Sequence, residues 1–201
     1  EIDLVQKFGF TRGQIREAFY YLEKDGYINI VQNKGAIVAG VEVDEVLDLY
    51  SVLMIVECQA VEWSCHNFKE ADLRELSDIN KSLQHWTERG EKVDLIKWHE
   101  INAVFHNYIW IKSGSSKLHS ILKDIRKRLF RLRYWSIISD TYEDYHKAHE
   151  EIISCLRQGD PAGARKSMAD HIKQACDIHV DLVPRYKSQL AASGVKQFKN
   201  S

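Results

Sequence analysis

From Val43 to about residue 189 the chain repeats its apolar side chains at one helical period almost without interruption, whereas residues 1–41 change period several times. That contrast constrains the fold most. It predicts a small mixed unit, a boundary near residues 40–43, and a long all-helical part: residues 1–41, 42–190 and a frayed tail over 191–201. The 201 residues suffice for one large domain or two small ones, and 44% apolar side chains can fill a real core. Lys plus Arg (28) against Asp plus Glu (29) leaves a net charge of −1, which excludes a histone-like protein and an acidic disordered tail. No run approaches the ~18 apolar residues of a membrane span, and no signal peptide opens the chain, so a cytoplasmic protein is expected. Cys58, Cys65, Cys155 and Cys176 show no CxxC spacing and sit in helical patterns, which fits free thiols in a reducing compartment.

In the first part, Leu4, Val5 and Phe8 predict a short helix closed by Gly9. Thr11 is the expected N-cap of a second helix, with Gln14 three residues on to complete a capping box. Ile15, Ala18, Phe19 and Leu22 form its buried stripe, and Gly26 its C-cap. Residues 27–31 and 36–39 read as strands joined by a turn over 32–35. Helix, tight turn, helix and hairpin together describe a winged helix-turn-helix. Arg12, Arg16, Tyr20 and Glu23 lie opposite the apolar stripe. Two arginines one turn apart at a helix N-terminus suit a helix entering the DNA major groove. Composition alone describes a solvated face equally well, since residues 1–40 hold five basic and five acidic side chains.

The order of motifs resembles the DNA-binding half of the GntR family of bacterial transcription regulators. The run is carried by Glu1, Leu4 and Val5, then Thr11, Arg12, Ile15, Arg16, Glu17, Ala18, Phe19, Leu22, Gly26 and Tyr27, and finally Gly35. The resemblance implies DNA contacts at Thr11, Arg12, Arg16 and Gly35, and the candidate set is completed by Gln14 and Lys34. Ile2 stands where members often carry a phosphate-contacting arginine, and Gly13 where threonine is frequent. The family's first helix is expected to be missing before Glu1.

The second part reads as a bundle of six helices. Val46, Leu49, Tyr50, Leu53, Val56 and Ala60 stripe the first, and Leu73, Leu76, Ile79 and Leu83 the second. Others are expected over about 93–111, 117–138 and 143–157. The last starts with Asp160 as N-cap and Pro161 at the first helical position. The chain is thus mainly α with one small β-hairpin.

Asn102 and His106 share a helical face, and a turn at residues 159–161 can fold the helices of His149 and His171 together. One amide oxygen and three imidazoles would suit Zn, Ni, Mn or Co; the bland alternative is four buried structural side chains. The half of the chain that carries them resembles the effector-binding FCD domain of the FadR-type branch of GntR. Its motifs are matched by Asn102 to His106, by His149 ahead of Gly159–Asp160, and by Met168 to Ile172. The resemblance implies a divalent transition metal at Asn102, His106, His149 and His171, with asparagine in place of the more common aspartate. His99, His119, His146 and His179 have no motif and are expected to be structural.

Many FCD domains bind small carboxylates. Leu53 stands where the first FCD helix often offers an arginine. The basic run Lys123, Arg126, Lys127, Arg128, Arg131 and Arg133 is mostly a solvated face, with Arg126, Arg133 or Tyr134 as the expected clamp for an organic acid. The reading is a ligand-responsive, homodimeric regulator of a pseudo-palindromic operator and not an enzyme. The alternatives are a sensor that has lost DNA binding and a metal-dependent hydrolase.

Overall fold

The computed structural model describes residues 2–32, 34–88, 95–136 and 143–192. Contacts divide the chain into two units, residues 1–43 with 181–201, and residues 44–180. The end of the last helix therefore groups with the N-terminal unit.

In the first unit, α1 (Ile2–Phe8) and α2 (Arg12–Lys24) precede a hairpin of β1 (Ile28–Val31) and β2 (Gly35–Val38). The α2 boundaries follow from local chemistry. Gln14 N–H donates to Thr11 Oγ1 (3.3 Å) and Thr11 N–H to Gln14 Oε1 (2.9 Å), a closed capping box. At the other end Gly26 takes φ 79°, and Tyr27 N–H donates to Leu22 O (2.8 Å), closing a Schellman turn. The strands are antiparallel, with Ile28 opposite Val38 and Val31 opposite Gly35. The second strand thus begins at Gly35, one residue before its expected start. Of the expected α2 stripe, Ile15 is buried and Phe19 half-buried, but Ala18 and Leu22 are exposed. Among the described residues α1 and β1 pack on α2, and two such short elements do not reach the whole face.

The second unit is helical among its described residues: α3 (Val43–Ser64), α4 (Glu70–Glu88), α5 (Leu95–Lys112), α6 (Ser116–Ser136), α7 (Glu143–Gln158) and α8 (Pro161–Ala192), with a 3₁₀ turn at Cys65–Asn67. α3 enters it from Val43, and α8 leaves it after Val180. Helix α4 packs on α5 and α7, and α5 on α6. Leu83, Trp98 and Tyr145 from three of these helices make one buried cluster, against which Ile101, Ala175 and Ile178 pack. Leu49 and Val56, expected in the α3 stripe, are half-buried; the face instead buries Glu57 and Cys58. Between α7 and α8, Gly159 takes φ 63° and Asp160 N–H donates to Cys155 O (3.0 Å), ending one helix. Asp160 Oδ1 then accepts from Gly163 N–H (3.0 Å) and caps the next, with Pro161 at its first position. All four cysteines are free thiols, Cys58 and Cys65 buried. No helix among the described residues is long and apolar enough to cross a membrane.

Candidate metal centre

Three histidines from three helices converge inside the second unit. His106 on α5, His149 on α7 and His171 on α8 are almost fully buried, and one ring nitrogen of each lies within 4.8 Å of the others. His106 Nε2 and His171 Nε2 are 3.3 Å apart. Phe105 stacks flat on His149 with ring centroids 3.8 Å apart, and Tyr145 meets His171 edge-on. One turn before His106, Asn102 is 5% exposed.

Neighbouring side chains set the tautomers. A carboxylate only accepts, so in the 3.3 Å contact of His106 Nδ1 with Glu57 Oε2 the ring donates, while its Nε2 meets His171 Nε2. Asn80 Nδ2 donates to the His146 carbonyl (2.9 Å), so Asn80 Oδ1 accepts from His149 Nδ1 (3.2 Å). His149 Nε2 is then a bare lone pair. It has no hydrogen-bond partner among the described residues, and neither has Asn102 Oδ1. Burial holds the His149 pKa well below its ordinary value, helped by the other two histidines and Arg126, so the ring is neutral. An unsatisfied buried acceptor costs about 1–3 kcal/mol, which a cation taking the lone pair relieves. One amide oxygen with three imidazoles is a donor set for borderline divalent ions such as zinc, nickel or manganese.

Glu57 is the main feature that the sequence does not single out. It is fully buried and accepts from His106, from Trp110 Nε1 (2.9 Å), and from Arg126 through Nε (2.9 Å) and Nη2. Burial pushes its carboxyl pKa up, but Arg126 and His106, with the hydrogen bonds, more than offset that and hold it well below the usual range. The available signal is one charge in the apolar stretch of α3. Its partners lie 49 to 69 residues away and leave no local trace.

The FCD domain family matches residues 48–174, well over half of the chain, and this span contains every one of these residues. The chain belongs to the GntR family of transcription regulators, with a C-terminal FCD domain. It is 25% identical over 183 residues to the uncharacterized HTH-type transcriptional regulator YdhC of Bacillus subtilis, covering 88% of this chain and 79% of that one. It is 23% identical over 184 residues to the Nta operon transcriptional regulator of Aminobacter aminovorans, covering 91% and 84%. The HTH-type transcriptional repressor GlaR of Escherichia coli shares 27% over 187 residues, covering 84% and 80%. Among solved structures, Escherichia coli McbR/YncC has the same fold, with a TM-score of 0.74 at 18% identity over 89% of this chain and 84% of that one. The GntR chain is thus a transcription regulator and not the hydrolase that three histidines by themselves allow.

In the GntR regulator's first unit, Thr11, Arg12, Gln14, Arg16, Lys34 and Gly35 are all exposed. Thr11 and Gln14 spend side-chain hydrogen bonds on each other. Gly35 takes φ 82°, a conformation that favours glycine. Glu23, on the outward face with the arginines, accepts from Ile30 N–H (2.7 Å) and so fastens the hairpin to α2. In the FCD domain, Arg126 turns inward with 11% of its side chain exposed, its guanidinium on Glu57 and 5.7 Å over the Trp110 ring. Lys123, Lys127 and Arg128 are exposed. The side chains of Arg133 and Tyr134 lie outside the described residues. Leu53 is buried. Of the histidines without a motif, His179 Nδ1 meets the Tyr50 hydroxyl (2.6 Å) and His119 Nε2 the Asn107 Oδ1 (2.7 Å). A cleft of about 560 Å³ beside Asn80, lined also by Arg74, Asp78, Lys81, Glu150 and Arg157, has no local signal in the sequence.

Proposed function

We propose that this GntR regulator is a cytoplasmic homodimer that binds a pseudo-palindromic operator and is controlled by a small organic acid at a metal site in its FCD domain. Arg12 and Arg16, with Thr11, Gln14, Lys34 and Gly35, contact DNA in this reading. Asn102, His106, His149 and His171 hold a divalent transition ion, which supplies a Lewis-acidic position for a carboxylate oxygen when bound. The observation that carries the reading is the pairing of the buried histidine triad with two buried lone pairs, on His149 Nε2 and Asn102 Oδ1, that no described group satisfies. Glu57 and Asn80 hold two of the rings by their far nitrogens, as the outer partners of metal-binding histidines do. Arg126 serves chiefly as the counter-charge of Glu57, so a carboxylate clamp would draw on Arg133 or Tyr134. Exposed Val52, Ile55 and Trp63 share one face of α3 and support association with a second copy.

The deciding experiment is the metal content of the purified protein beside His106→Ala and His149→Ala variants. About one transition-metal ion per chain, lost in both variants, is the expected result. A metal-free parent whose thermal stability is unmoved by added zinc, nickel or manganese would return these histidines to a structural role.

A further inference from the structure

The cleft of about 560 Å³ between α4 and α7 is lined by none of the three clustered histidines and has a charge pattern of its own. Its floor is buried, with Asn80 2% and Ile153 4% exposed. Asn80 Nδ2 donates to the His146 carbonyl, so these two residues mark where the helices lie side by side. Arg74 stands six residues before Asn80 and Arg157 eleven after His146, about 9 Å and about 16 Å along their helices. Helices running the same way would hold the two arginines about 25 Å apart, too far to line one cleft. They run antiparallel, with both arginines toward one end and Asp78, Lys81 and Glu150 toward the other. Lys81 pairs with Asp78 on its own helix (3.1 Å). Among the described residues Arg74, Arg157 and Glu150, all exposed, have no ion pair or hydrogen bond.

We propose that this cleft binds the phosphate ester of a small polyol, with the phosphate across Arg74 and Arg157 and a hydroxyl of the body donating to Glu150. Two unpaired guanidiniums match the charge of roughly −1.5 to −2 on a phosphate monoester, whereas one carboxylate neutralises only one of them. Arginine's planar fork also suits phosphate oxygens, and half-buried Ser77 adds a hydroxyl donor between the two ends. Toward the other end the lining is charged, and Ile153 is the apolar side chain on the floor, which favours a hydroxylated body over a greasy one. The cleft has the volume of an ordinary small-molecule site. Asn80 Oδ1 accepts from His149 Nδ1, so an occupant rests on the amide that orients one of the clustered histidines.

The test is calorimetric titration of the full chain with glycerol 3-phosphate and with inorganic phosphate. The ester is expected to bind at about one per chain and about tenfold more tightly than phosphate alone. Arg74→Gln and Arg157→Gln should each weaken the ester by about tenfold or more, with the thermal midpoint unchanged because both side chains are exposed. Arg12→Ala with Arg16→Ala, which removes two exposed arginines of the other unit, should leave ester affinity as it is. Glu150→Ala should cut the preference for ester over phosphate to about twofold; the ratio cancels any repulsion between this carboxylate and the anion. No binding at millimolar ester, or ester binding that Arg74→Gln and Arg157→Gln leave unchanged, would overturn the site. An undiminished preference in Glu150→Ala would overturn the polyol assignment and reduce the cleft to a bare phosphate site.

Discussion

A carboxylate with no exposed surface needs opposite charge around it, and Glu57 finds it in Arg126, with His106 and Trp110 as further donors. Removing one member of such a pair strands the other. Arg126→Ala is expected to cost about 3–5 kcal/mol, read as a shift of the urea midpoint, because Glu57 stays buried without its counter-ion. The double variant Glu57→Gln/Arg126→Met should lose less than the two single changes together, since both charges leave at once. A cost for Arg126→Ala under about 1 kcal/mol would mean that the pair behaves as an exposed one. The same contacts orient His106 and leave Nε2 facing the other two rings. Stability and the proposed metal geometry therefore share these side chains.

Helix ends carry the next level of organisation. Gly163 lies in the first turn of α8, where a Cβ would overlap the Asp160 carboxylate that caps the helix. Gly163→Ala is expected to displace that cap and cost about 1 kcal/mol, even though alanine is the better helix former. Thermal unfolding in the Asp160→Ala background checks it: with the cap carboxylate gone, Gly163→Ala should no longer destabilise and should raise the midpoint instead. Asp72, in the first turn of α4, accepts from Lys69 N–H (2.9 Å) and the Tyr108 hydroxyl (3.0 Å) and pairs with Lys112 Nζ (2.7 Å) on α5. The Lys112 hydrogen bond and the Lys69 amide hold its carboxyl at about 2, against an ordinary 3.8. A folded value below the unfolded one means that this tie is complete above pH 3.8 and is lost as pH falls through about 2. Carbon-13 titration of the Asp72 carboxyl should give a midpoint near 2 and move upward in Lys112→Ala.

For the whole molecule, the proposed division of labour is separable by mutation. Arg12→Ala with Arg16→Ala is expected to abolish operator binding, by removing phosphate and base contacts from one exposed helix face, while metal content and the thermal stability of the helical bundle stay unchanged. Electrophoretic mobility shift against the chain's own promoter region, beside metal analysis of the same sample, reads both. DNA binding that survives the double change would move the interface to the hairpin around Lys34 and Gly35. Loss of metal along with DNA binding would mean that the two functions are not independent.

Short-range chemistry makes much of this chain legible from its residues alone. The capping box of Thr11 and Gln14, the Gly26 turn and the Asp160–Pro161 start each act within a few residues, and each stands where the sequence puts it. Helical period likewise marks the six long helices, because one buried stripe is enough to declare itself locally. The histidines are legible as a group only through motif order, since single histidines in helices carry no such signal. What the tertiary structure decides is which side chains meet across the chain. Glu57 with Arg126, and His149 with Asn80, are each 69 residues apart, and Ala18 or Leu22 is exposed or covered according to what packs on α2. Burial of a charge depends on partners brought together by helix packing, and periodicity within one helix holds no information about them.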